Sequence, residues 1–467
     1  MNTIHPWILA ISLIGMAACS TSAIKQDKDL APEKNNIVLI MVDDLGYSDV
    51  AYMHNKQGIN TPNIDKLAQS GMVFTDAYAA APVCSPTRAS LMTGKYPATL
   101  KLTCHIPGMG MEKYLEKLSE GHSLKEAYFR DHLPMDEFTI AEALKEQGYS
   151  TGYIGKWHLG GAGSIYTEDG TINTAYHPDN QGFDINIGGN AYGQPKSYFD
   201  PYFNGTIQDR KEGEYLTDRL GDEAVQFIEQ NQNQPFFLNL ATYTVHTPLD
   251  APEEIVEKYE GNKYFAMIEK LDQNVGKVMD KLEALNLLEN TLVVFYSDNG
   301  GLWGNAPLKG IKGTLNEGGI RVPMIVSFHG KIKAGSQSAT PVTTVDFFPT
   351  FLELAGGNPS LYPEVEGKSL LPLVYGKADF PERPIYWHFP HHRKEGLSMG
   401  AAIREGDWKL ITSFETEEVF LYNLKDDLGE VNNLSDSFPD KKLALLAKLE
   451  AWQEEIDAEM PLKNDNE

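Results

Sequence analysis

The amino-acid sequence predicts an α/β fold in which a large, mostly parallel central sheet is sandwiched by helices. A smaller C-terminal α+β domain with a short antiparallel sheet is predicted to follow it. The first observation behind this prediction is that short apolar runs alternate with segments of helical periodicity. The second is that these runs are almost continuously apolar, which is typical of parallel strands covered on both faces. The third is size, since 467 residues, 42% of them hydrophobic, suffice for one large domain or two unequal ones.

The elements in the first part of the chain have clear end signals. The segment TPNIDKLAQSG predicts a helix because Thr61 suits the N-cap, Pro62 the first turn and Gly71 the end. The other assignments depend in the same way on apolar periodicity and flanking turn residues. In chain order, the predicted elements are a strand at 36–42, helices at 61–71 and 139–148, strands at 149–155 and 235–243, a long helix at 264–285 and a strand at 291–296.

The pattern of the chain changes near Asp379. Shorter strand patterns, PIYWHF and WKLITSF, precede a final helix predicted from Asp440 to Asp457. We therefore expect a main domain at 35–378 and a C-terminal α+β subdomain at 379–467.

The N-terminus has the features of an export signal. The apolar stretch from Trp7 to Ala18 is too short to span a bilayer, and small residues follow it. The tetrapeptide MAAC resembles a bacterial lipoprotein cleavage site, at which Cys19 would become lipidated, and an ordinary cleaved leader is the alternative. We expect a lipoprotein-type signal peptide at 1–19 and a polar tether at 20–34. The protein would then be exported, to the periplasm or the outer membrane, and attached to a membrane only through that lipid.

Charge and cysteine content exclude some classes of function. With 40 Lys and Arg residues against 65 Asp and Glu residues, the formal net charge is −25, which disfavours nucleic acid as a partner. An anionic substrate would therefore need a local basic pocket. The three cysteines, Cys19, Cys84 and Cys104, do not make a disulfide framework, although one bridge between Cys84 and Cys104 is arithmetically possible.

Polar side chains follow several of the predicted strands at or shortly after their carboxyl ends. They are Asp43-Asp44, Lys156-Trp157-His158, His246 and Asp298-Asn299. Because ligands of open α/β sheets bind at this edge, we expect these side chains to share one rim. The aspartate and asparagine oxygens suit Ca²⁺ or Mg²⁺ better than zinc, although ordinary strand-end turns would have the same residues.

Further features could act on an anion at that rim. In GKWHLG, Lys156 and His158 occupy alternate positions of an extended segment, so both could point the same way. Lys156 would supply a fixed positive charge and His158 a proton shuttle. His246 precedes a proline-stiffened turn in TVHTP. A glycine-rich segment around Lys309 and Lys312 could cradle an anion but lacks the spacing of a Walker loop.

The stretch VCSPTRASLMTG places a lone cysteine at the start of a predicted helix. Pro86 suits the first turn, the helix runs toward Thr93, and Gly94 ends it. The helix N-terminus favours negative charge near Cys84, and Arg88 lies one turn further on. A thiolate nucleophile and an inert buried thiol are both compatible with these local features.

The combination of these motifs resembles the type I sulfatases of the alkaline phosphatase superfamily, including bacterial polysaccharide sulfatases. CSPTRASLMTG is similar to their first signature, Cys-x-Pro-x-Arg followed by Leu-x-Thr-Gly, and GYSTGYIGKWHLG is similar to the second. The early Asp-Asp, the His-Thr-Pro, the Asp-Asn-Gly and the later Lys-Gly-Thr occur in the family's order. The resemblance implies a sulfuric ester hydrolase, with residues 35–378 as its catalytic domain.

The resemblance also implies two non-protein contributions to the site. A separate maturation enzyme would oxidise Cys84 to Cα-formylglycine (3-oxoalanine), which acts as its hydrated gem-diol. One hydroxyl would attack sulfur, and the other would let the covalent sulfate ester collapse to the aldehyde. One Ca²⁺ would be bound by Asp43, Asp44, Asp298, Asn299 and an oxygen of the modified Cys84.

The remaining roles are carried over from the motifs one by one. Arg88 would hold the gem-diol, and Lys156 and Lys312 would bind the sulfate oxygens. His246 would donate a proton to the leaving alcohol, and His158 would remove the proton of the second hydroxyl.

Substrate choice is predicted to depend on residues outside the sulfate pocket. In YWHFPHHR, His388 and Arg393 could pair with further acidic groups of a glycan, although a packed edge strand would have the same pattern. With an export signal, the expected substrate is a sulfated polysaccharide or oligosaccharide, of algal or other origin. The alternatives are a phosphonate or phosphate ester hydrolase of the same superfamily, and a glycan-binding lipoprotein that never receives the modification.

Overall fold

The computed structural model describes residues 1, 34–53, 58–163, 171–377, 380–393 and 398–464. Apart from Met1 and Lys34, the predicted signal peptide and tether therefore lie outside the described residues, as do the lipidation site Cys19 and the boundary residue Asp379. In the described part, none of the helices is long and apolar enough to cross a membrane.

Helices and strands alternate along the described chain. Its strands are β1 (Asn36–Val42), β2 (Met72–Phe74), β3 (Ala77–Tyr78), β4 (Leu124–Lys125), β5 (Ser150–Gly155), β6 (Ile185–Ile187), β7 (Phe236–Ala241), β8 (Thr291–Ser297), β9 (Met324–Ser327), β10 (Ser336–Ser338), β11 (Val342–Thr343), β12 (Ile385–Phe389), β13 (Gly400–Glu405), β14 (Trp408–Ser413), β15 (Val419–Asn423) and β16 (Leu462–Lys463). Its helices are α1 (Pro62–Ser70), α2 (Cys84–Thr93), α3 (Met111–Ser119), α4 (Ile140–Glu146), α5 (Leu216–Asn231), α6 (Glu253–Lys258), α7 (Lys263–Ala284), α8 (Glu317–Ile320), α9 (Phe347–Leu354), α10 (Leu371–Val374) and α11 (Pro439–Glu455).

Eight strands form the central sheet, in the order β10-β2-β9-β8-β1-β7-β5-β6. β1 pairs in parallel with both β7 and β8, and β5 pairs in parallel with β7 and β6. β9 instead runs antiparallel to β8 and β2. The predicted mostly parallel sheet is therefore confirmed. The direction of β9 was not predictable, because its apolar residues have the same pattern as those of its parallel neighbours.

Both faces of the central sheet are covered by helices. In β1, alternate residues from Ile37 to Met41 pack into one core, and those from Val38 to Val42 pack into the other. Residues of α2, α4 and α9 line the first core, and residues of α1, α5 and α7 line the second. Because β1 is buried on both faces, its sequence is an almost continuous apolar run.

The helix ends follow the sequence signals with one exception. At α4, Thr139 forms a capping box with Glu142, and α2 ends at Gly94, which has a left-handed φ of 70°. α1 begins at Pro62 as predicted, but Thr61 makes no side-chain cap. Its hydroxyl instead donates to Asp65.

The C-terminal part contains a four-stranded antiparallel sheet in the order β12-β13-β14-β15. The final helix α11 packs against it through Leu445, Leu449 and Trp452, which share a core with Ala401 and Ile403 of β13. The predicted α+β character of this region is confirmed.

A buried charge network connects the four-stranded sheet to the part of the chain that precedes it. Lys409 of β14 lies 2.8 Å from both Glu317 of α8 and Glu430, and Arg321 lies 3.2 Å from Glu317. Burial opposes ionisation of Glu317, but Lys409, Arg321 and Arg404 lower its pKa to about 2. The network therefore holds oppositely charged side chains together in a buried region beside the four-stranded sheet. Removing one partner there would leave a buried charge unpaired and lower the free energy of unfolding.

We expect Glu317→Gln to lower the free energy of unfolding by about 3 kcal/mol at pH 7, because Lys409 would keep only Glu430 as a partner. The control is Lys277→Gln, which removes the exposed pair with Asp222 and should change stability by less than about 1 kcal/mol. Urea unfolding followed by fluorescence measures both. Equal effects of the two variants would contradict the structural role of the network.

Candidate active site

The polar residues that follow the predicted strands come together at one edge of the central sheet. Asp43 and Asp44 follow β1, Asp298 and Asn299 follow the neighbouring β8, and Lys156 follows β5. The parallel pairing of β8, β1, β7 and β5 aligns the carboxyl ends of these strands. This alignment is the reason that residues far apart in sequence share one rim.

Two lysines pair with the aspartates that follow β1. Lys156 Nζ lies 2.6 Å from Asp43 Oδ2, and Lys312 Nζ lies 2.6 Å from Asp44 Oδ1. Burial raises the pKa of Asp43 to about 7, although Lys156 opposes the rise. Burial acts on Asp44 in the same direction, but Lys312 and His246 hold its pKa below the ordinary value. Each aspartate thus has its own ammonium partner.

Arg88 lies one turn into α2 and pairs with the third carboxylate. Its Nη2 lies 2.7 Å from Asp298 Oδ2, and its Nε donates to the same oxygen at 2.9 Å. Its Nη1 donates to the Lys156 carbonyl at 2.6 Å. The guanidinium is fully buried within the carboxylate cluster and connects α2 to the ends of β8 and β5.

Two oxygens of this cluster are buried without a hydrogen-bond partner among the described residues. They are Asp44 Oδ2 and Asn299 Oδ1. Single ligand atoms of Asp43, Asp44, Cys84 and His246 lie within 4.8 Å of one another. Because unsatisfied buried oxygens are unfavourable, and because the donors around them are mainly hard oxygens, the cluster fits a cation such as Ca²⁺.

Cys84 is the first residue of α2 and lies beside this cluster. Lys312 Nζ donates to its Sγ at 3.3 Å, and Asp43 Oδ1 lies 3.6 Å from the same atom. Burial raises the pKa of the thiol to about 12, although Lys156 and Lys312 oppose the rise. Cys84 and Cys104 are both free. The protein environment therefore favours neither a disulfide nor a thiolate at Cys84.

His246 lies close to the cluster with one ring nitrogen available. Its Nδ1 donates to the Thr247 carbonyl at 2.6 Å, and its Nε2 lies 3.7 Å from Asp44 Oδ2. Burial and the nearby Lys312 lower its pKa to about 3. The neutral imidazole borders the same cavity as Cys84.

His158 also borders this cavity, but not in the predicted conformation. Its φ of 59° is left-handed, so the extended arrangement expected for Lys156 and His158 is wrong. Its Nε2 donates to the Ile106 carbonyl at 2.9 Å, while Nδ1 has no partner among the described residues. Lys156 is fully buried and is not among the described residues that line the cavity.

The cavity above Cys84 has a volume of about 670 Å³. Its wall includes residues 105–108 and Arg393. Arg393 donates to His105 Nδ1 at 2.6 Å. Of the predicted site residues, Cys84, His158, His246, Lys312 and Arg393 thus line one cavity.

Two expectations are corrected by the structure. His388 of β12 does not border the cavity, because its ring nitrogens contact the Glu459 carbonyl at 2.8 Å and Gln453 Nε2 at 2.9 Å. It is a packed residue of the C-terminal sheet, not a candidate substrate contact. The glycine-rich segment does not form an anion cradle as a whole, since Lys309 contacts the Glu430 carbonyl and, of the two lysines, Lys312 alone lines the cavity among the described residues.

Sequence reasoning missed several residues of the cavity wall. Trp303 has 47% of its surface exposed and packs edge-to-face against Tyr264 at 4.5 Å. Gly193 lies against the His158 ring, and Lys196 lies 4.4 Å from the centre of the Tyr192 ring. These residues belong to loops without a recognisable motif, so only long-range folding brings them to the site.

Comparisons with known proteins identify the family. A sequence profile of the sulfatase family matches residues 35–357, and a profile described as N-sulphoglucosamine sulphohydrolase, C-terminal, matches residues 312–456. The chain therefore belongs to the sulfatase family, and the predicted membership is confirmed. It is a sulfuric ester hydrolase that acts on sulfate esters.

Individual relatives agree with this assignment. A sulfatase of Formosa agariphila is 33% identical over 95% of this chain and 93% of its own length. The N-acetylgalactosamine-6-sulfatase of Mus musculus is 30% identical over 82% of this chain and 72% of its own length. The crystal structure of Ps i-CgsB in complex with k-i-k-neocarrahexaose superposes with a TM-score of 0.75 at 33% identity, covering 90% of this chain and 93% of the other.

We expect Gly193→Ala to reduce kcat for sulfate release about 10- to 100-fold, because a Cβ there would lie 2.4 Å from two atoms of the His158 ring. The matched control is Gly108→Ala in the same cavity wall, where a Cβ meets no atom within 4 Å. Steady-state kinetics on an aryl sulfate measure both variants. Unchanged turnover in Gly193→Ala would show that the position of His158 does not matter.

Proposed function

We propose that this enzyme removes sulfate from a sulfated glycan, using Cα-formylglycine made from Cys84 and one Ca²⁺. The observation that carries the proposal is the position of Cys84 at the cavity, 3.3 Å from Lys312 and close to Asp44. Buried oxygens of Asp44 and Asn299 have no hydrogen-bond partner among the described residues. A neutral, buried thiol is a poor nucleophile, whereas a hydrated aldehyde at this position would present oxygen to the substrate.

The cation would be held by Asp43, Asp44, Asp298, Asn299 and the modified side chain of Cys84. Bound Ca²⁺ would supply positive charge that favours an ionised nucleophilic oxygen and polarises a sulfate oxygen. The two partnerless oxygens support this assignment, as does the predominance of oxygen donors over nitrogen.

The basic residues around Cys84 would have different roles in the reaction. Lys312 contacts both Asp44 and Sγ of Cys84, so its ammonium group can bind a sulfate oxygen next to the reacting atom. Lys156 adds a second positive charge below the cavity through its pair with Asp43. Arg88 contacts Asp298 rather than the cavity, which supports a role in positioning the base of the site.

Two of the histidines that line the cavity, His246 and His158, are suited to proton transfer in different steps of the reaction. Nε2 of His246 faces Asp44 at 3.7 Å. Because Nδ1 already donates to Thr247, Nε2 would first have to take up a proton, which the charge of Asp44 favours, and would then pass it to the departing alcohol. Nδ1 of His158 has no partner among the described residues and would accept the proton of the second hydroxyl. An alcohol of a sugar needs such protonation more than a phenol does, because it is a poorer leaving group.

The cavity wall supports a carbohydrate substrate. The exposed ring of Trp303, held edge-to-face by Tyr264, offers a flat apolar face for a sugar ring. Arg393 provides a donor for acidic or hydroxyl groups of the glycan. The similarity to a solved structure whose title names k-i-k-neocarrahexaose points in the same direction.

The proposal requires that Cys84 be modified by another enzyme. A separate formylglycine-generating enzyme would modify Cys84, which the folded protein buries almost completely at 1% exposure. Modification would therefore have to precede folding or require opening of this region.

Export to the periplasm or the outer membrane, with a lipid at Cys19, remains a prediction from the sequence, as do the domain limits 35–378 and 379–467.

We expect matured protein to release sulfate from at least one member of a panel of defined sulfated oligosaccharides at a higher kcat/KM than from an aryl sulfate or an aryl phosphonate. The reason is that the cavity is large enough for sugar contacts beyond the sulfate group. Ion chromatography of released sulfate provides the measurement. A higher kcat/KM on the aryl phosphonate would favour the phosphonate hydrolase alternative.

Two controls separate the parts of this proposal. Cys84→Ala should abolish sulfate release while binding of the glycan persists, because the reacting group is lost and the cavity wall is kept. Prolonged chelation should lower turnover, and added Ca²⁺ should restore it. Wild-type protein that binds a glycan tightly but never releases sulfate would support a glycan-binding lipoprotein instead.

A further inference from the structure

Arg393 is a cation without an acidic partner in the described part of the protein. Its Nη2 contacts Cys104 Sγ at 3.1 Å and His105 Nδ1 at 2.6 Å, and its Nη1 donates to the His392 carbonyl at 2.9 Å. The nearby Glu126 is already bound to His391 at 2.7 Å. A guanidinium has five N–H donors, so these three contacts do not use all of them, and Arg393 borders the cavity.

The neighbours of Arg393 are neutral. Because an arginine can only donate, Nδ1 of His105 accepts, and its proton therefore lies on Nε2, 2.8 Å from the Tyr114 hydroxyl. Burial and Arg393 both lower the pKa of His105, which keeps this ring uncharged. Among the described residues, the direct contacts of Arg393 are thus neutral groups, and no carboxylate lies within salt-bridge distance of it.

The described residues of the cavity wall include basic side chains but no acidic ones. Its charged side chains are Lys196, Lys312 and Arg393, and neither aspartate nor glutamate is among the described lining residues. The chain as a whole has a net charge of −25. A wall with only cations, in a strongly acidic protein, is suited to a ligand with more than one negative group.

Arg393 also lies close to the sulfate-binding end of the cavity. Its stem packs over Gly313, where a Cβ would lie 3.1 Å from Arg393 Cγ, and Gly313 directly follows Lys312. Gly313 has a φ of 88°, which glycine adopts without strain. The loop that holds Lys312 beside Cys84 therefore also supports Arg393.

We propose that the substrate carries a second anionic group, a sulfate ester or a carboxylate, near the sulfate that is removed, and that Arg393 binds it. Planar, two-point pairing with such a group is what a guanidinium does better than an ammonium. The inference rests on the proposed glycan sulfatase function, and it specifies which glycans are good substrates.

The test compares three otherwise identical oligosaccharides: one with only the scissile sulfate, one with an added sulfate on the same or the adjacent sugar, and one with an added carboxylate. We expect kcat/KM of the wild-type enzyme to be about 10- to 100-fold higher for at least one doubly anionic substrate. Arg393→Met should reduce this preference to about one, and Arg393→Lys should restore part of it. Lys196→Met is the matched control and should keep most of the preference.

Each outcome is decisive for one of the two proposals. Equal kcat/KM of the wild-type enzyme on singly and doubly anionic substrates would overturn the second-anion site, even if the Arg393 variants fail to fold. An equal loss of preference in Lys196→Met and Arg393→Met would show general electrostatic attraction and would also overturn it. Absence of sulfate release from every glycan, with release from an aryl sulfate, would instead overturn the proposed function.

Discussion

The burial of three carboxylates beside one another is the constraint on which the rest of the site depends. Asp43, Asp44 and Asp298 are fully buried, and such charges are unfavourable unless cations accompany them. Each has a separate partner, a lysine from the loop after β5, a lysine from the loop before α8, and an arginine from α2. These pairs fix the loops and the helix relative to the sheet, and thereby place Cys84 at the cavity floor.

The charge distribution separates the inside of the cavity from the outside of the protein. The surface carries most of a net charge of −25, while the described cavity wall carries only cations and neutral histidines. An acidic surface keeps polyanions away at long range, so binding must depend on contacts within the cavity. This arrangement favours specific recognition of short anionic segments over adsorption to a polyanionic chain.

The sequence predicted the parts of the structure that depend on local signals. The apolar run of β1, the helix that follows Thr139 and the helix between Cys84 and Gly94 are all determined within a few residues. The parallel sheet then explains why the acidic residues meet. The antiparallel direction of β9, the left-handed φ of His158 and the packed position of His388 depend on long-range contacts, which periodicity does not report. The proposed modification of Cys84 was inferred from the resemblance of its motif to a known family. The spacing and type of the neighbouring residues alone did not indicate it.

The central claim is that Cys84 is a precursor and not a reacting thiol. The most direct measurement is the mass of the peptide containing Cys84, isolated from a preparation that releases sulfate at full rate. The account predicts a peptide that has lost the sulfur, has gained an aldehyde oxygen and reacts with a hydrazide. An intact thiol at Cys84 throughout a fully active preparation would contradict it.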